Sequence, residues 1–350
     1  MSATYHERLD KKNIEKLREL QKELPEFSRE FFLAMEIKKS TNTCRNYAYD
    51  LCTFFYFLKT NNPYFRDKDI RTLPVSVLDL LQPMDIEEYL SFLTLYEKDG
   101  QTYRNHEEGK ARKLATLNTF FGYFHKKEMI QKNAPSVVDV PRVKEKNIIR
   151  LDANEVAQLI DNIESGEKLT KQQKVWHERN KARDLAIVVT LLGTGVRVTE
   201  LVGLDLSDLD FDNGAMRVIR KGGNEDIVYF GEETEEMLRN YLDERMQMTP
   251  APGHENALFI SQNNTRITVR SVERLVKKYA STATVKKITP HKLRSTYGTA
   301  LYQETGDIYL VADVLGHKNV NTTRKHYAAM KEENKRKAAN IVQLRESKGN

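Results

Sequence analysis

The stretch PHKLRSTYGTALYQETGDIYLVADVLGHKNVNTTRKHY, from Pro290 to Tyr327, carries the most informative residues of the chain. Pro290 is typical of the first position of a helix, and Thr289 before it is a suitable N-cap. His291 and Arg294 are three residues apart, so they share one face of that helix. The pattern predicts a helix that presents two groups able to bind an anionic oxygen.

The second half of the same stretch predicts a turn with a histidine behind it. Leu315-Gly316 separates two apolar helical segments, and His317 follows directly. Tyr327 lies ten residues further on, after a basic run. The histidines are widely spaced and both cysteines lie far upstream, so the pattern lacks the ligand spacing of a metal site. We expect neither a metal nor another cofactor.

A second informative stretch is LLGTGVRVTELVGLDLSDL, from Leu191 to Leu209. Arg197 stands between a Gly-Thr-Gly turn and apolar residues of a predicted core. A guanidinium is costly to bury there unless it has a partner. Glu200, three residues later, is the predicted partner that orients it.

A third stretch, RVIRKGGNEDIVYF from Arg217 to Phe230, predicts a β-hairpin. Residues that favour strands lie on both sides of a Lys-Gly-Gly-Asn turn. The hairpin carries Lys221 at its tip, where a flexible side chain can reach a neighbouring site.

These residues together resemble the tyrosine recombinases, the phage integrase family, and within it the Xer-like recombinases of bacteria. The resemblance covers nearly the whole chain, with Ser295 standing where many relatives have a histidine. One further residue than is common separates the last histidine from the tyrosine. The resemblance implies six catalytic residues in this order: Arg197, Lys221, His291, Arg294, His317 and the nucleophile Tyr327.

Such a set can cut a phosphodiester without a metal. Two arginines can hold the non-bridging oxygens of the phosphate in bidentate fashion. A tyrosine phenol can attack the phosphorus and form a covalent ester. Lys221 can protonate the leaving 5′ oxygen, and His291 and His317 can accept the tyrosine proton or bond the phosphoryl oxygens. The ester conserves the bond energy, so rejoining requires no ATP.

The family fold implied is mostly α, with a small antiparallel β-sheet in the C-terminal domain. The resemblance implies a two-domain clamp: a helical core-binding domain at 1–140, a linker at 141–151 and a mixed α/β catalytic domain at 152–350. Residues 28–140 are predicted to be wholly helical, with their aromatic stripes in the core. A charged helix after Tyr327 is expected to dock into a neighbouring subunit. The polar insert 165–180 is expected to be a surface loop, anchored by Trp176.

Double-stranded DNA is the expected partner. The 350-residue chain has a net charge of +6 and a pI near 9.0, a balance that suits nucleic acid without requiring it. By resemblance, one set of DNA contacts lies in the helical domain and another on a helix near residue 270. The candidates are Thr43, Arg45, Arg112, Lys113, Arg270 and Arg274.

We expect a cytoplasmic protein with no membrane partner. The sequence has no apolar signal region and no apolar run long enough to cross a membrane. Its two cysteines, Cys44 and Cys52, lie too far apart on one helix for a disulfide, as is typical of a reducing compartment.

The expected function is site-specific recombination through a 3′-phosphotyrosyl intermediate and a Holliday junction, in a homotetramer that forms from a dimer on each site. Within this class we favour Xer-like resolution of chromosome dimers, with a mobile-element or phage integrase as the alternative. A type IB topoisomerase or a non-catalytic DNA-binding protein fits less well, because the residue set is complete and the chain has two recombinase-like domains. The target sequence, a second recombinase and a DNA translocase are left open by the sequence.

Overall fold

The computed structural model describes residues 5–142, 149–220, 222–317 and 319–320. The chain divides into two units, residues 1–146 and 147–350, and the boundary lies within the 141–151 segment. Each unit has its own core and is described by itself.

The described residues of the first unit form five α-helices, whose ends follow local signals. Ser40 caps α3, since its hydroxyl accepts a hydrogen bond from the Thr43 N–H at 3.3 Å. Pro83 occupies the first position of α4, behind a capping box formed by Gln82 and Asp85. The helices are α1 (Tyr5–Gln21), α2 (Ser28–Lys38), α3 (Thr41–Asn61), α4 (Pro83–Phe92) and α5 (Glu107–Lys126).

Aromatic side chains fill the core of this unit, as the helical spacing predicts. Phe120 of α5 meets Phe31 of α2 edge to face, with ring centroids 5.0 Å apart, and contacts Phe124 at 5.2 Å. Phe54 of α3 packs against Tyr89 of α4 at 5.1 Å. All five rings are fully buried, so they stabilise the fold and are not available for stacking on bases.

One part of the first unit is not helical as expected. Residues Tyr96–Lys98 and Gln101–Tyr103 form a short antiparallel hairpin, β1 and β2. Asp99 and Gly100 between them have φ values of 51° and 70°, the backbone of a two-residue Asp-Gly turn. The prediction of an all-helical segment was wrong here because the turn signal ends the helical pattern.

A buried carboxylate ties α3 to α5. Asp50 is 1% exposed, and its two oxygens accept hydrogen bonds from Lys113 at 3.0 Å and Thr116 at 2.8 Å. Arg112 forms an ion pair with the same carboxylate. Lys113 itself is only 6% exposed, and burial lowers the pKa of its ammonium. Lys113 and Arg112 of α5 therefore both bond Asp50 and stabilise the contact between α3 and α5.

The second unit combines eight helices among the described residues with a three-stranded antiparallel sheet. The sheet has the order β3–β4–β5, with Arg217 paired to Ile227 in the centre of the hairpin. The strands are β3 (Leu209–Asp210), β4 (Ala215–Ile219) and β5 (Glu225–Tyr229). The helices are α6 (Ala153–Ser165), α7 (Lys171–Glu178), α8 (Lys181–Thr194), α9 (Val198–Gly203), α10 (Glu232–Arg245), α11 (Val269–Ala283), α12 (Pro290–Thr305) and α13 (Ile308–Val314).

Helix α8 is the centre of this unit. Its residues from Leu185 to Leu191 are all buried, and it packs against α6, α10 and α12. A helix that is apolar on every side is stable only inside a core. The C-terminal end of α8 leads directly into the turn before Arg197, so the core sets the position of that arginine.

The insert 165–180 is not a loop but contains α7. A capping box starts this helix: Gln173 N–H donates to the Thr170 hydroxyl at 3.3 Å, and the Thr170 N–H donates to the Gln173 side chain at 3.0 Å. His177, 1% exposed, holds α7 to the unit through a 3.1 Å hydrogen bond between its Nδ1 and the Tyr279 hydroxyl. Trp176, the expected anchor, remains 46% exposed.

We predict that Asp50→Asn destabilises the first unit by about 3 kcal/mol, because the amide leaves the buried Lys113 ammonium without a counter-charge. Hydrogen–deuterium exchange of α3 peptides measures the free energy of opening in this region. Asp67→Asn, an exposed aspartate of the same unit, is the matched control. Adding Lys113→Met to Asp50→Asn should recover part of the lost stability. Equal exchange in Asp50→Asn and Asp67→Asn would contradict the role of Asp50 as the buried partner of Lys113.

Candidate active site

Two glycine turns at helix ends meet in the second unit. Gly195 ends α8 with a φ of 62°, and Gly316 follows α13 with a φ of 59°. After α13, the Gly316 N–H donates to the Asp313 carbonyl at 2.7 Å and the His317 N–H to the Ala312 carbonyl at 2.8 Å. This pair of bonds is a Schellman motif, which places a left-handed residue just past the helix. At these turns the carbonyls of Gly195, Leu315 and Gly316 accept hydrogen bonds from side chains.

Arg294 bridges the Gly195 turn and the Gly316 turn, and the two turns with Arg294 form a junction between α8, α12 and α13. It lies on α12, is 4% exposed, and donates to the carbonyls of Gly195 and Leu315. Carbonyls at a helix end have no partner within the helix, so a guanidinium can satisfy them. The bonds fix the plane of the Arg294 side chain relative to the Gly195 and Gly316 turns.

Arg197 lies beside this junction and is held by Glu200. Its backbone N–H donates to one Glu200 oxygen at 2.8 Å, and its Nη1 donates to the other at 2.7 Å. Its Nη2 reaches the Gly316 carbonyl at 3.1 Å. The Glu200 side chain is 2% exposed, whereas 33% of the Arg197 side chain faces solvent. Glu200 therefore fixes the orientation of the Arg197 guanidinium, while part of the guanidinium remains accessible to a ligand from solvent.

Arg220 completes the junction, although sequence reasoning did not identify it. Its Nη1 donates to Glu200 at 3.0 Å, its Nε to Asp226 at 2.9 Å and its Nη2 to the Val314 carbonyl at 3.3 Å. The Arg220 side chain is 10% exposed. Its signal in the sequence was weak: an arginine at the base of a hairpin turn, opposite an acidic residue on the returning strand.

Lys221 follows Arg220 directly but lies outside the described residues. The backbone N–H of Arg220 donates to the Asn224 carbonyl at 2.7 Å, and this hydrogen bond closes the base of the hairpin turn. The contacts of Arg220 thus tie the start of the turn that carries Lys221 to Glu200.

The two histidines have different settings. His291 is exposed in the first turn of α12, where Thr289 and Pro290 start the helix as the sequence predicts. His317 is half-buried at the end of the Schellman turn. The structure therefore brings Arg197, Glu200, Arg294 and the backbone before His317 into one bonded cluster. Tyr327 and the helix predicted after it lie outside the described residues.

The predicted DNA contacts of the second unit lie on the surface of α11. Arg270 and Arg274 are both exposed, one turn apart, behind the N-cap Thr268. Neither forms a hydrogen bond or ion pair with any other residue that the structure describes. Both guanidiniums are thus available to a phosphate or a base edge.

The predicted DNA contacts of the first unit differ in availability. Thr43 is half-buried in the first turn of α3, and Arg45 donates to Asn13 and Asn42 at 2.6 Å each. Arg112 keeps 54% of its side chain exposed while bonding Asp50. Lys113 is a correction to the expectation, because it lies in the core with its ammonium on Asp50.

Within the described part of the chain, no group of three histidine, cysteine, aspartate or glutamate residues is arranged to hold a metal ion. No described helix is long and apolar enough to cross a membrane.

Comparison with known proteins identifies relatives along most of the chain. The sequence pattern of the phage integrase family matches residues 149–334. A tyrosine recombinase XerC from Caldanaerobacter subterraneus subsp. tengcongensis is 33% identical over 82% of this chain and 77% of its own length. A tyrosine recombinase XerS from Streptococcus agalactiae is 30% identical over 89% of this chain and 93% of its own.

Solved structures share the fold at lower identity. The XerH site-specific recombinase bound to a palindromic difH substrate has a TM-score of 0.60 at 21% identity, covering 86% of this chain and 80% of that one. A lambda integrase dimer bound to a COC′ core site has a TM-score of 0.58 at 17% identity, covering 86% and 93%. The predicted fold class, mostly helical with small antiparallel sheets, is confirmed.

We predict that Gly316→Ala destabilises the second unit more than Gly306→Ala does, although both glycines follow a helix in the left-handed region. A Cβ at Gly316 would lie 2.9 Å from the Arg220 guanidinium, whereas a Cβ at Gly306 has nothing within 4 Å. Both variants carry the backbone penalty. Gly316→Ala should lose about 1–3 kcal/mol more, because the Arg220 guanidinium can move away only by breaking its bonds to Glu200, Asp226 and the Val314 carbonyl. Urea unfolding followed by the fluorescence of the single tryptophan, Trp176, measures the difference. Equal losses would show that the Gly316 turn is not packed against Arg220.

Proposed function

The chain belongs to the phage integrase family and is a tyrosine site-specific recombinase, and from this premise we propose that it cuts and rejoins DNA through a 3′-phosphotyrosyl intermediate and a Holliday junction. Its similarity to XerC and XerS supports a Xer-type role, the conversion of chromosome dimers into monomers at a fixed site. The substrate is double-stranded DNA.

The observation that carries this proposal is the half-exposed Arg197 on a buried carboxylate. Glu200 occupies one edge of the guanidinium, and the Gly316 carbonyl bonds its Nη2. The Arg197 Nε forms no bond with any described residue, so it can reach a bound anion. Donors held in advance in this way lower the energy of a phosphate that gains charge during the reaction, because they need not reorganise.

Arg294 is proposed to act on the same phosphate as Arg197. Its guanidinium is buried and anchored on backbone carbonyls, so its positive charge is concentrated where water is scarce. An ion in such surroundings acts more strongly on a neighbouring charge than it does in water. The N-terminal turn of α12, with His291, adds a favourable dipole for an anion.

The residues outside the described part of the chain complete the proposed reaction. The Tyr327 oxygen attacks phosphorus, the bond to the 5′ oxygen breaks, and Lys221 supplies the proton that the 5′ oxygen takes. His291 or His317 receives the phenol proton. The 5′ hydroxyl of the partner strand then reverses these steps and releases the tyrosine.

We also propose that a dimer on each site joins a second dimer to form a homotetramer on DNA. The support is the charged C-terminal helix predicted after Tyr327, with its narrow apolar face. Shortening the chain before this helix should then abolish synapsis while leaving binding to a single site.

We predict that a nicked duplex carrying the recombination site traps a covalent protein–DNA adduct without metal or ATP. Tyr327→Phe should remove the adduct, because the phenol oxygen forms the ester. The adduct is measured on a denaturing gel. An adduct that persists in Tyr327→Phe would assign the nucleophile elsewhere, and a wild-type chain that binds the site without any adduct would contradict catalysis.

We predict that Arg197→Lys lowers the rate of adduct formation by about 10²-fold, since an ammonium cannot replace the two-sided contacts of a guanidinium. Single-turnover cleavage of the same nicked duplex measures the rate. Arg217→Lys is the matched control, because Arg217 is an exposed arginine of β4 that forms ion pairs with Asp208 and Glu225. Equal losses in the two variants would mean that Arg197 has no special part in cleavage.

A further inference from the structure

A polar cleft of about 500 Å³ lies between the insert and the DNA-contact helix, outside the candidate active site. Helix α7 forms one wall and α11 forms the other, with the loop after Ile260 at one end. The lining includes Gln173, Trp176, Asn180, Asn263, Arg274 and Lys278.

The cleft carries excess positive charge. Its charged lining residues are Arg183, Arg274 and Lys278 against the single carboxylate of Asp184, a net charge of +2. Asp184 is already bonded by Arg183 at 2.7 Å, by Lys278 at 3.3 Å and by the Tyr279 hydroxyl at 3.0 Å. Arg274 is exposed, and no described residue pairs with it. The cleft therefore attracts an anion.

The remaining lining is suited to a sugar-phosphate backbone. Gln173, Asn180 and Asn263 also line the cleft, and amide side chains commonly contact DNA phosphates and sugars. Pockets for small organic ligands are mostly apolar, which this lining is not. Trp176 is 46% exposed and offers a flat ring against which a deoxyribose can pack.

The wall formed by α7 is attached to α11 through His177. Gln173 and Trp176 are three residues apart and face the cleft, whereas His177 faces inward and is buried against Tyr279. Gly166 before the helix has no space for a Cβ, which would lie 2.5 Å from the His177 ring. The insert is thus held at a set distance from α11.

We propose that this cleft receives one backbone phosphate of duplex DNA, and that the insert is a clamp that sets how α11 meets the duplex. The inference rests on the proposed function, because it takes DNA as the ligand of Arg270 and Arg274. Arg274 and Lys278 bind the phosphate from one wall, and the Gln173 amide of α7 binds it from the other.

The test compares Gln173→Glu with Val175→Glu in the full chain. A glutamate at position 173 retains the capping box with Thr170, so the helix is preserved while a negative charge enters the cleft. Val175 lies on the same helix, is 60% exposed and does not line the cleft, so Val175→Glu adds the same charge elsewhere. The probe is a labelled duplex of about 30 base pairs (roughly the reach of a dimer) carrying a site that the wild-type chain selects from a random pool.

Gln173→Glu should weaken binding about fivefold more than Val175→Glu, as expected for a like charge placed near a bound phosphate. Replacing single phosphates by neutral methylphosphonates should identify one position that weakens the wild type and Val175→Glu but not Gln173→Glu. Equal affinities and equal phosphate profiles of the two variants would overturn the clamp. If both variants and the wild type still form the covalent adduct in that case, the proposed function stands and only this inference fails. A wild type that selects no site and forms no adduct would overturn both.

Discussion

The buried carboxylate of Glu200 is the group on which the candidate active site depends. It accepts hydrogen bonds from the backbone and side chain of Arg197 and from Arg220, while only 2% of its side chain is exposed. A buried carboxylate is costly unless charged donors surround it, and buried guanidiniums are costly without it. Glu200 therefore couples the start of α9 to the base of the β4–β5 hairpin, and the two arginines that it holds bond the backbone at the end of α13.

The same junction uses the carbonyls that helices leave unsatisfied at their ends. Arg294 bonds the carbonyls of Gly195 and Leu315, and Arg197 bonds that of Gly316. The glycines permit the left-handed turns that direct these carbonyls inward. Backbone dipoles thus hold part of the positive charge in place, beside the ion pairs that Arg197 and Arg220 form with Glu200. Arg197 keeps 33% of its side chain exposed, so its guanidinium remains accessible to a phosphate.

The first unit shows the opposite use of a buried ion. Asp50 takes the charges of Lys113 and part of Arg112 into the contact between α3 and α5, where they hold helices together. In the second unit, Asp184 binds Arg183 and Lys278 in the same manner but leaves Arg274 on the surface beside them. A basic residue that lies opposite a buried acid stabilises the packing of helices, whereas one without such an acid stays available on the surface for a partner.

Local patterns in the chain were enough to predict the helical character, the start of α12 at Thr289 and the β4–β5 hairpin, because each depends on neighbouring residues. The order of a few residues along the chain was enough to indicate the family. They could not predict the burial of Lys113, since its partner Asp50 lies 63 residues away. Nor could they identify Arg220, whose partners come from α9, β5 and the end of α13. The helix in the insert depends on a local capping box, but its attachment through His177 depends on Tyr279 of α11. Spacing along a chain predicts which groups share a helix face, whereas the partner and burial of a charge are set only when distant elements pack together.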